Sequence, residues 1–325
     1  MTAATRRTDL VLLAVAVVWG SSYLTAKTAT EATSVLLVLF LRYALSAVVC
    51  AVAVAAALRT SGPLTRDELT RGSLLGVTQA AVLVLETYGV AHTSAANAGL
   101  IISLTLVLTP LLDRAGRRGG LPVRFFLATG LCVAGVALLV SGTGLRAPGT
   151  GDLLMLAAAV VRAGHVVLVG RLTAGRTLRP LHLTAVQTVV GAVLFLPPAA
   201  AGLPLLARTD AVTWAQLLYL ALFCGLFAFL AQTWAVQRTS PTRASLLLGT
   251  EPVWALAVGV GFGDDRLTAL SALGAALIVA GTYWGQAVER ARRATPPVAP
   301  VPAPPVPAPP VPEPRSDRAL DGSLS

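Results

Sequence analysis

The chain has 325 residues, of which 55% are hydrophobic and only 12% charged. A soluble protein of this length carries about 25% charged residues, so a water-soluble globular domain is excluded; the apolar stretches between the charges are roughly 20 residues long, the length of a bilayer-spanning helix. The net charge of +10, with Lys27 the one lysine among the basic residues, falls in short connections, where it orients a membrane protein, and this argues against a nucleic-acid partner.

Taken in chain order, the apolar periods predict ten helices, over 9–27, 34–58, 72–91, 95–113, 122–141, 152–171, 181–202, 213–237, 242–262 and 267–288. Open sheets cannot survive in lipid, which leaves helices for segments of this length. The first follows Arg6 and Arg7 in the manner of a signal peptide, but no convincing small-x-small cleavage site follows it. It is read as a retained membrane helix. Polar or Gly/Pro-rich connections such as "SGPLTRDELTR" and "SGTGLRAPGTGD" separate the segments. With ten crossings, 17 arginines fall on one set of connections, against Lys27, Arg146, Arg208 and Arg266 on the other. The positive-inside bias then predicts both termini in the cytoplasm of a multi-pass protein of the cell membrane. From Pro296 the chain reads "PPVAPVPAPPVPAPPVPEP", which has no core to fold around. A disordered or polyproline tail over 290–325 is expected, with docking of a partner domain as an open alternative.

The chain also repeats itself. At a shift of 146 residues Thr87, Val90, Thr93, Ser94, Ala98 and Leu100 meet Thr233, Val236, Thr239, Ser240, Ala244 and Leu246, and "LCVAG" (131–135) meets "LIVAG" (277–281). Near the start, "DLVLLAVAVV" (9–18) meets "DLLMLAAAVV" (152–161) at a shift of 143. Two units are predicted, 1–143 and 144–289, of five helices each. Five is odd, so the second unit enters the membrane from the opposite side. Inverted repeats are a hallmark of secondary transporters, in which two halves rock about a central site. The predicted fold class is therefore all-α, a polytopic membrane protein of ten transmembrane helices in two inverted five-helix repeats.

"VVWGSSYLTAK" (17–27), "FLRYAL" (40–45), "AHTSAANAGLI" (91–101), "RTSPTRASLLLGTEPVWALAVG" (238–259) and "LGAALIVAG" (273–281), in this order and duplicated, resemble the EamA family of the drug/metabolite transporter superfamily. The resemblance runs to about Trp284. It implies a ten-helix inner-membrane carrier, commonly an exporter of amino acids, metabolites or toxic compounds, driven in many members by ion gradients. The chain departs from the family pattern at "LLDRAGRRGG" (111–120), where a Gly-Glu-like pair is usual, and in the sixth helix, where Arg162 and His165 stand in place of an aromatic.

Four ionisable residues lie deep in predicted spans: Arg42, Glu86, Arg162 and Glu251. Each charge at mid-bilayer costs about 2.5–3.5 kcal/mol when it faces lipid, so all four are expected to face the bundle interior. By depth, Arg42 is expected to pair with Glu86 and Arg162 with Glu251, either as static pairs or with a carboxylate that binds a proton, a cation or a substrate amine. Glu86 is the preferred proton carrier. Pro252 follows Glu251 and is expected to kink or break its helix. His165, three residues after Arg162, is a candidate relay or a packed neutral histidine. Asn97 is a substrate contact or a helix cap. Trp19, Tyr23, Tyr88 and Trp234 are candidates for an aromatic-lined cavity, Trp19 lying deepest, with anchoring at the membrane interface as the alternative for Tyr88 and Trp234.

Cys50, Cys132 and Cys224 fall inside apolar segments and read as small hydrophobes. No metal-ligand cluster, phosphate-cradling loop, nucleophile with a base, cofactor motif or nucleotide-binding domain is discernible, which argues against an enzyme. The expectation is a secondary active transporter for a small-molecule solute in the lipid bilayer, an exporter that is proton-coupled. A channel or sensor is the alternative, and a homodimer is left open.

Overall fold

The structure is a computed structural model that describes residues 3–93, 95–114, 122–141, 149–262 and 268–294. The proline-rich tail lies outside the described residues, as do the arginines of 115–121 and 142–148. Among the described residues the chain is helical with no strand: α1 Ala3–Ala32, α2 Val35–Ser61, α3 Arg66–His92, α4 Ala95–Ile102, α5 Thr105–Arg114, α6 Val123–Ser141, α7 Thr150–Thr173, α8 Pro180–Ala199, α9 Ala211–Tyr219, α10 Ala228–Arg238, α11 Pro241–Leu248, α12 Glu251–Phe262 and α13 Ala269–Ala294. A 3₁₀ stretch, Ala200–Arg208, continues α8, and a π-helical stretch, Leu220–Phe227, joins α9 to α10. Among the described residues, six continuous helices are long and apolar enough to cross a membrane: Arg6–Ala32, Val35–Ser61, Arg66–His92, Thr150–Thr173, Pro180–Arg208 and Ala211–Arg238.

Several helices begin where a side chain serves the free N–H groups of the first turn. Ser34 accepts from the Leu37 N–H (3.3 Å) and Asp210 from the Thr213 N–H (2.7 Å). At the head of α3, Thr65 accepts from the Glu68 N–H while Glu68 accepts from the Thr65 N–H, a capping box. Glu68 also takes the guanidinium of Arg179 at 2.5 Å and faces His182 Nδ1 at 3.2 Å, tying the start of α3 to the start of α8. Thr65→Ala removes one cap and is expected to lower stability by about 1 kcal/mol. Thermal unfolding of the purified variant checks this; a midpoint equal to that of the parent would deny the cap any weight.

Two of the ten predicted helices are broken in the middle. The fourth divides at Ser103 and Leu104, the ninth at Gly249 and Thr250. These positions are 146 residues apart, the repeat shift. At both breaks a threonine hydroxyl donates to a freed carbonyl: Thr105 to Ile102 (2.5 Å) and Thr250 to Leu247 (2.8 Å). Pro252 therefore does not kink a running helix. It sits in the first turn of α12, where its missing N–H has no partner to lose.

The halves interlock. The principal contacts join α6 to α13, α2 to α8 and α3 to α7. They come in matched pairs: α3–α7 has its counterpart in α10–α1, and α5–α7 in α12–α1, whereas α2–α8 and α6–α13 map onto themselves when the halves are exchanged. At the α6–α13 contact, equivalent glycines let the backbones touch. A Cβ on Gly135 would come within 2.7 Å of the Gly274 oxygen, and one on Gly281 within 2.8 Å of the Ala128 oxygen. The largest apolar core runs between α1, α2, α3, α7 and the α9–α10 rod. Cys50, Cys132 and Cys224 are free and buried within the packing.

Candidate functional site

The interface of the two halves encloses a small polar cavity. Its walls come from α1 (Trp19, Ser22, Tyr23), α2 (Arg42), α3 (Glu86, Thr87), α7 (Arg162, His165), α10 (Phe229, Gln232) and the head of α12 (Glu251). The cavity is about 30 Å³, room for one or two waters.

Arg162 stands at its centre. Its Nη2 lies 2.8 Å from Glu251 Oε2, and its Nη1 lies 3.3 Å from Glu86 Oε1 and 3.5 Å from Glu251 Oε1. A guanidinium presents a planar fork of five donors, so one arginine holds two carboxylates that would otherwise repel each other. The Tyr23 hydroxyl donates to Glu251 Oε1, which leaves Glu251 with partners on both oxygens. Below the guanidinium the Trp19 ring lies 4.4 Å away, a cation–π contact. The break in the ninth helix is what makes this possible: Glu251 opens α12, so its carboxylate projects from a helix head instead of a continuous rod.

Trp19 is itself anchored by the π-helical stretch. Winding at i→i+5 shifts the carbonyls out of the α register. The Trp19 indole N–H donates to the Cys224 carbonyl (3.0 Å) and the Ser46 hydroxyl to the Ala221 carbonyl (2.7 Å). Edge-to-face contact with Phe229 at 5.2 Å fixes the other side of the indole. His165 is buried, with Nδ1 2.8 Å from the Thr78 hydroxyl and its ring edge-on to Phe229.

The expected Arg162–Glu251 pair is present. The expected Arg42–Glu86 pair is not: Glu86 turns to Arg162 instead, because a long guanidinium side chain already held by Glu251 reaches both depths. Arg42 lines the same cavity, is 7% exposed, and has no hydrogen bond or ion pair to any described residue. Trp19 and Tyr23 reach the cavity as anticipated, and His165 lines it as well. Asn97 lies in α4, but its side chain is outside the described residues. Tyr88 and Trp234 do not line the cavity; Tyr88 stacks on His92, and Trp234 lies under Arg238 at 4.5 Å.

Gln232 and Phe229 were not singled out from the sequence. An amide in the middle of the apolar stretch 226–236 was the signal for the first; nothing local marked the second. The sequence count also placed Arg243 in a connection. In the structure it is the third residue of α11, 4% exposed, and grips Asp9 of α1 with Nη2 at 2.6 and 2.7 Å from the two carboxylate oxygens.

Comparison with known proteins agrees with this architecture. The chain is 26% identical over 301 residues to the uncharacterized inner membrane transporter YedA of Escherichia coli K12, covering 89% of this chain and 94% of that protein. It is 25% identical over 271 residues to an uncharacterized transporter of Archaeoglobus fulgidus, covering 83% of each. A solved crystal structure superimposes with a TM-score of 0.69 at 18% identity, over 89% of this chain and 99% of that one, which speaks to the fold alone. The model of the EamA-like transporter family matches twice, over residues 6–141 and 149–284. An all-helical, multi-pass membrane chain so matched over most of its length belongs to the EamA-like transporter family.

Proposed function

We infer that the protein is a secondary carrier that works by alternating access, with its ten helical segments crossing the inner membrane as two inverted halves, both termini in the cytoplasm, and the Glu86–Arg162–Glu251 cluster at the pivot. The observation that carries this reading is that one ionic cluster is assembled from both halves. Glu86 and Tyr23 come from the first, Arg162 and Glu251 from the second. Rocking one half against the other must therefore stretch or break these contacts. The paired breaks at 103–104 and 249–250 support the same reading, since discontinuous helices at a repeat interface build the central sites of many carriers. The small volume of the cavity fits a closed stage of the cycle, and the matched contacts between halves fit an exchange symmetry.

Glu86 is the coupling carboxylate in this reading, and the direction is export. Glu251 is saturated by Arg162 and Tyr23, whereas Glu86 has one 3.3 Å contact and a side chain 17% exposed to the cavity. It is the acid best placed to trade a proton for a solute. Glu86→Gln keeps the shape and one acceptor. It is expected to abolish uptake into inside-out vesicles driven by a proton gradient, while solute exchange at equal pH persists and the thermal midpoint stays within a few degrees. Full gradient-driven uptake by the variant sinks the coupling role. Counterflow in proteoliposomes tests the carrier itself: a carrier exchanges trapped for external solute, and a channel does not.

A further inference from the structure

Arg42 is a charged cavity residue whose side chain has no hydrogen bond or ion pair to a described residue. Its guanidinium sits inside the bundle beside Glu86, Arg162 and Glu251, its Nε is fully buried without a hydrogen-bond partner, and among the described residues no acid pairs with it. The two nearby carboxylates are both committed to Arg162. A buried lysine could shed its proton in such a place; arginine cannot. The two acids and two guanidiniums of the cavity balance in charge, but the Arg42 Nε–H has no acceptor, and unpaired buried donors are rare enough in folded proteins to call for an explanation.

We propose that Arg42 is the docking cation for a carboxylate carried by the transported solute. This rests on the carrier reading above and adds the chemical class of the cargo. The planar fork of arginine matches a carboxylate edge-on with two parallel hydrogen bonds. A phosphate ester would fit the fork equally well, but its second negative charge would face Glu86 and Glu251. A carboxylate carries one charge and is favoured on that ground. Trp19, Tyr23 and Phe229 line the same cavity, so a flat apolar body joined to a carboxylate suits the site. When the solute leaves, the Arg42 donors are again unmet, which favours a change of arrangement that lets water reach them.

The experiment is binding to the purified full-length chain in nanodiscs, measured by titration calorimetry with two probes of equal ring and chain: phenylacetate, an anion, and 2-phenylethylamine, a cation. The parent protein is expected to bind phenylacetate about tenfold or more tightly than the amine. Arg42→Gln is expected to weaken phenylacetate binding by about 10- to 100-fold, the range for loss of charged hydrogen bonds, and, by removing a like charge, to hold or tighten amine binding. Arg42→Lys keeps the charge without the fork and is expected to fall between. If Arg42→Gln does not purify folded, Arg42→Lys and the preference of the parent protein between the probes still decide. No phenylacetate binding, a preference for the amine, or phenylacetate affinity indifferent to both substitutions overturns the proposal. The carrier reading is judged separately by counterflow, so a channel that binds phenylacetate through Arg42 and a carrier that ignores it are told apart.

Discussion

Arg162→Ala is expected to be the most damaging single substitution in the protein. It leaves Glu86 and Glu251 facing each other across the cavity without the cation that joins them, and it removes the charge stacked on Trp19. Breaking a buried ion pair by deleting one partner costs about 3–5 kcal/mol, because the other partner stays buried and uncompensated. That is a large share of the roughly 5–15 kcal/mol by which a folded domain is stable. The expected result is a fall of many degrees in the unfolding midpoint in detergent, poor yield, and no transport. Because the damage comes from the orphaned acids, Arg162→Ala combined with Glu251→Gln should recover part of the lost midpoint without recovering transport. If the single variant unfolds at the same temperature as the parent protein, the cluster is not what holds α3, α7 and α12 together. If the double variant is worse than the single one, electrostatic relief is the wrong explanation.

Gly20→Val is expected to disable transport through geometry instead of charge. A Cβ at Gly20 would lie 2.6 Å from the Glu251 carbonyl oxygen, 2.8 Å from Trp254 Cβ and 2.9 Å from the Ala255 nitrogen. Two of these are backbone atoms of α12, which cannot rotate away. Overpacking of this kind costs about 1–3 kcal/mol, and α12 must move as a body to relieve it. Since Glu251 opens that helix, the carboxylate moves away from Arg162 and Tyr23 with it. Gly130, on α6, is the control, because a Cβ there meets nothing within 4 Å. Gly130→Val should leave both midpoint and transport near those of the parent protein. Equal activity in the two valine variants would show that α1 and α12 tolerate more separation than their packing suggests.

Much of the architecture was legible in the one-dimensional pattern. The apolar periods located ten helical segments to within a few residues at most ends, because the length that hides a backbone from lipid is set by hydrogen bonding and bilayer thickness. The internal duplication was legible for the same reason that the broken helices proved to be equivalent: positions 103–104 and 249–250 descend from one pattern read twice. The break at 249–250 was one of the two outcomes expected of Pro252, a kink or a break, and the helix stops just before that proline and restarts, with Thr250 donating to the Leu247 carbonyl. The equivalent break at 103–104 has no proline beside it and was not evident.

The site was half legible. Composition and depth picked out Arg42, Glu86, Arg162 and Glu251, since charges are expensive in lipid wherever they fall; of the four aromatics considered for the cavity wall, Trp19 and Tyr23 line it and Tyr88 and Trp234 do not. Depth along a helix says nothing about rotation around it, and partner choice depends on both. Arg162 therefore gathered both acids, and Arg42 was left alone, an outcome that only side-chain directions across four helices could settle. The same holds for Arg243, which looked like a connection charge and is a buried clamp on Asp9.

The π-helical stretch Leu220–Phe227 marks the boundary most clearly. Its sequence, "LALFCGLF", is an ordinary apolar run, and no local preference distinguishes one winding from the other. What selects it is tertiary: the Trp19 indole and the Ser46 hydroxyl need carbonyls that an α-helix would keep for itself. The sequence by itself determined helical segments, their duplication and the residues too costly to face lipid, because these follow from hydropathy and backbone hydrogen bonding along one chain. Only the tertiary structure decided where helices break and rewind, which carboxylate meets which guanidinium, and which cation is left unanswered. Those outcomes are settled by competition among neighbours that the chain brings together from positions as far apart as Asp9 and Arg243.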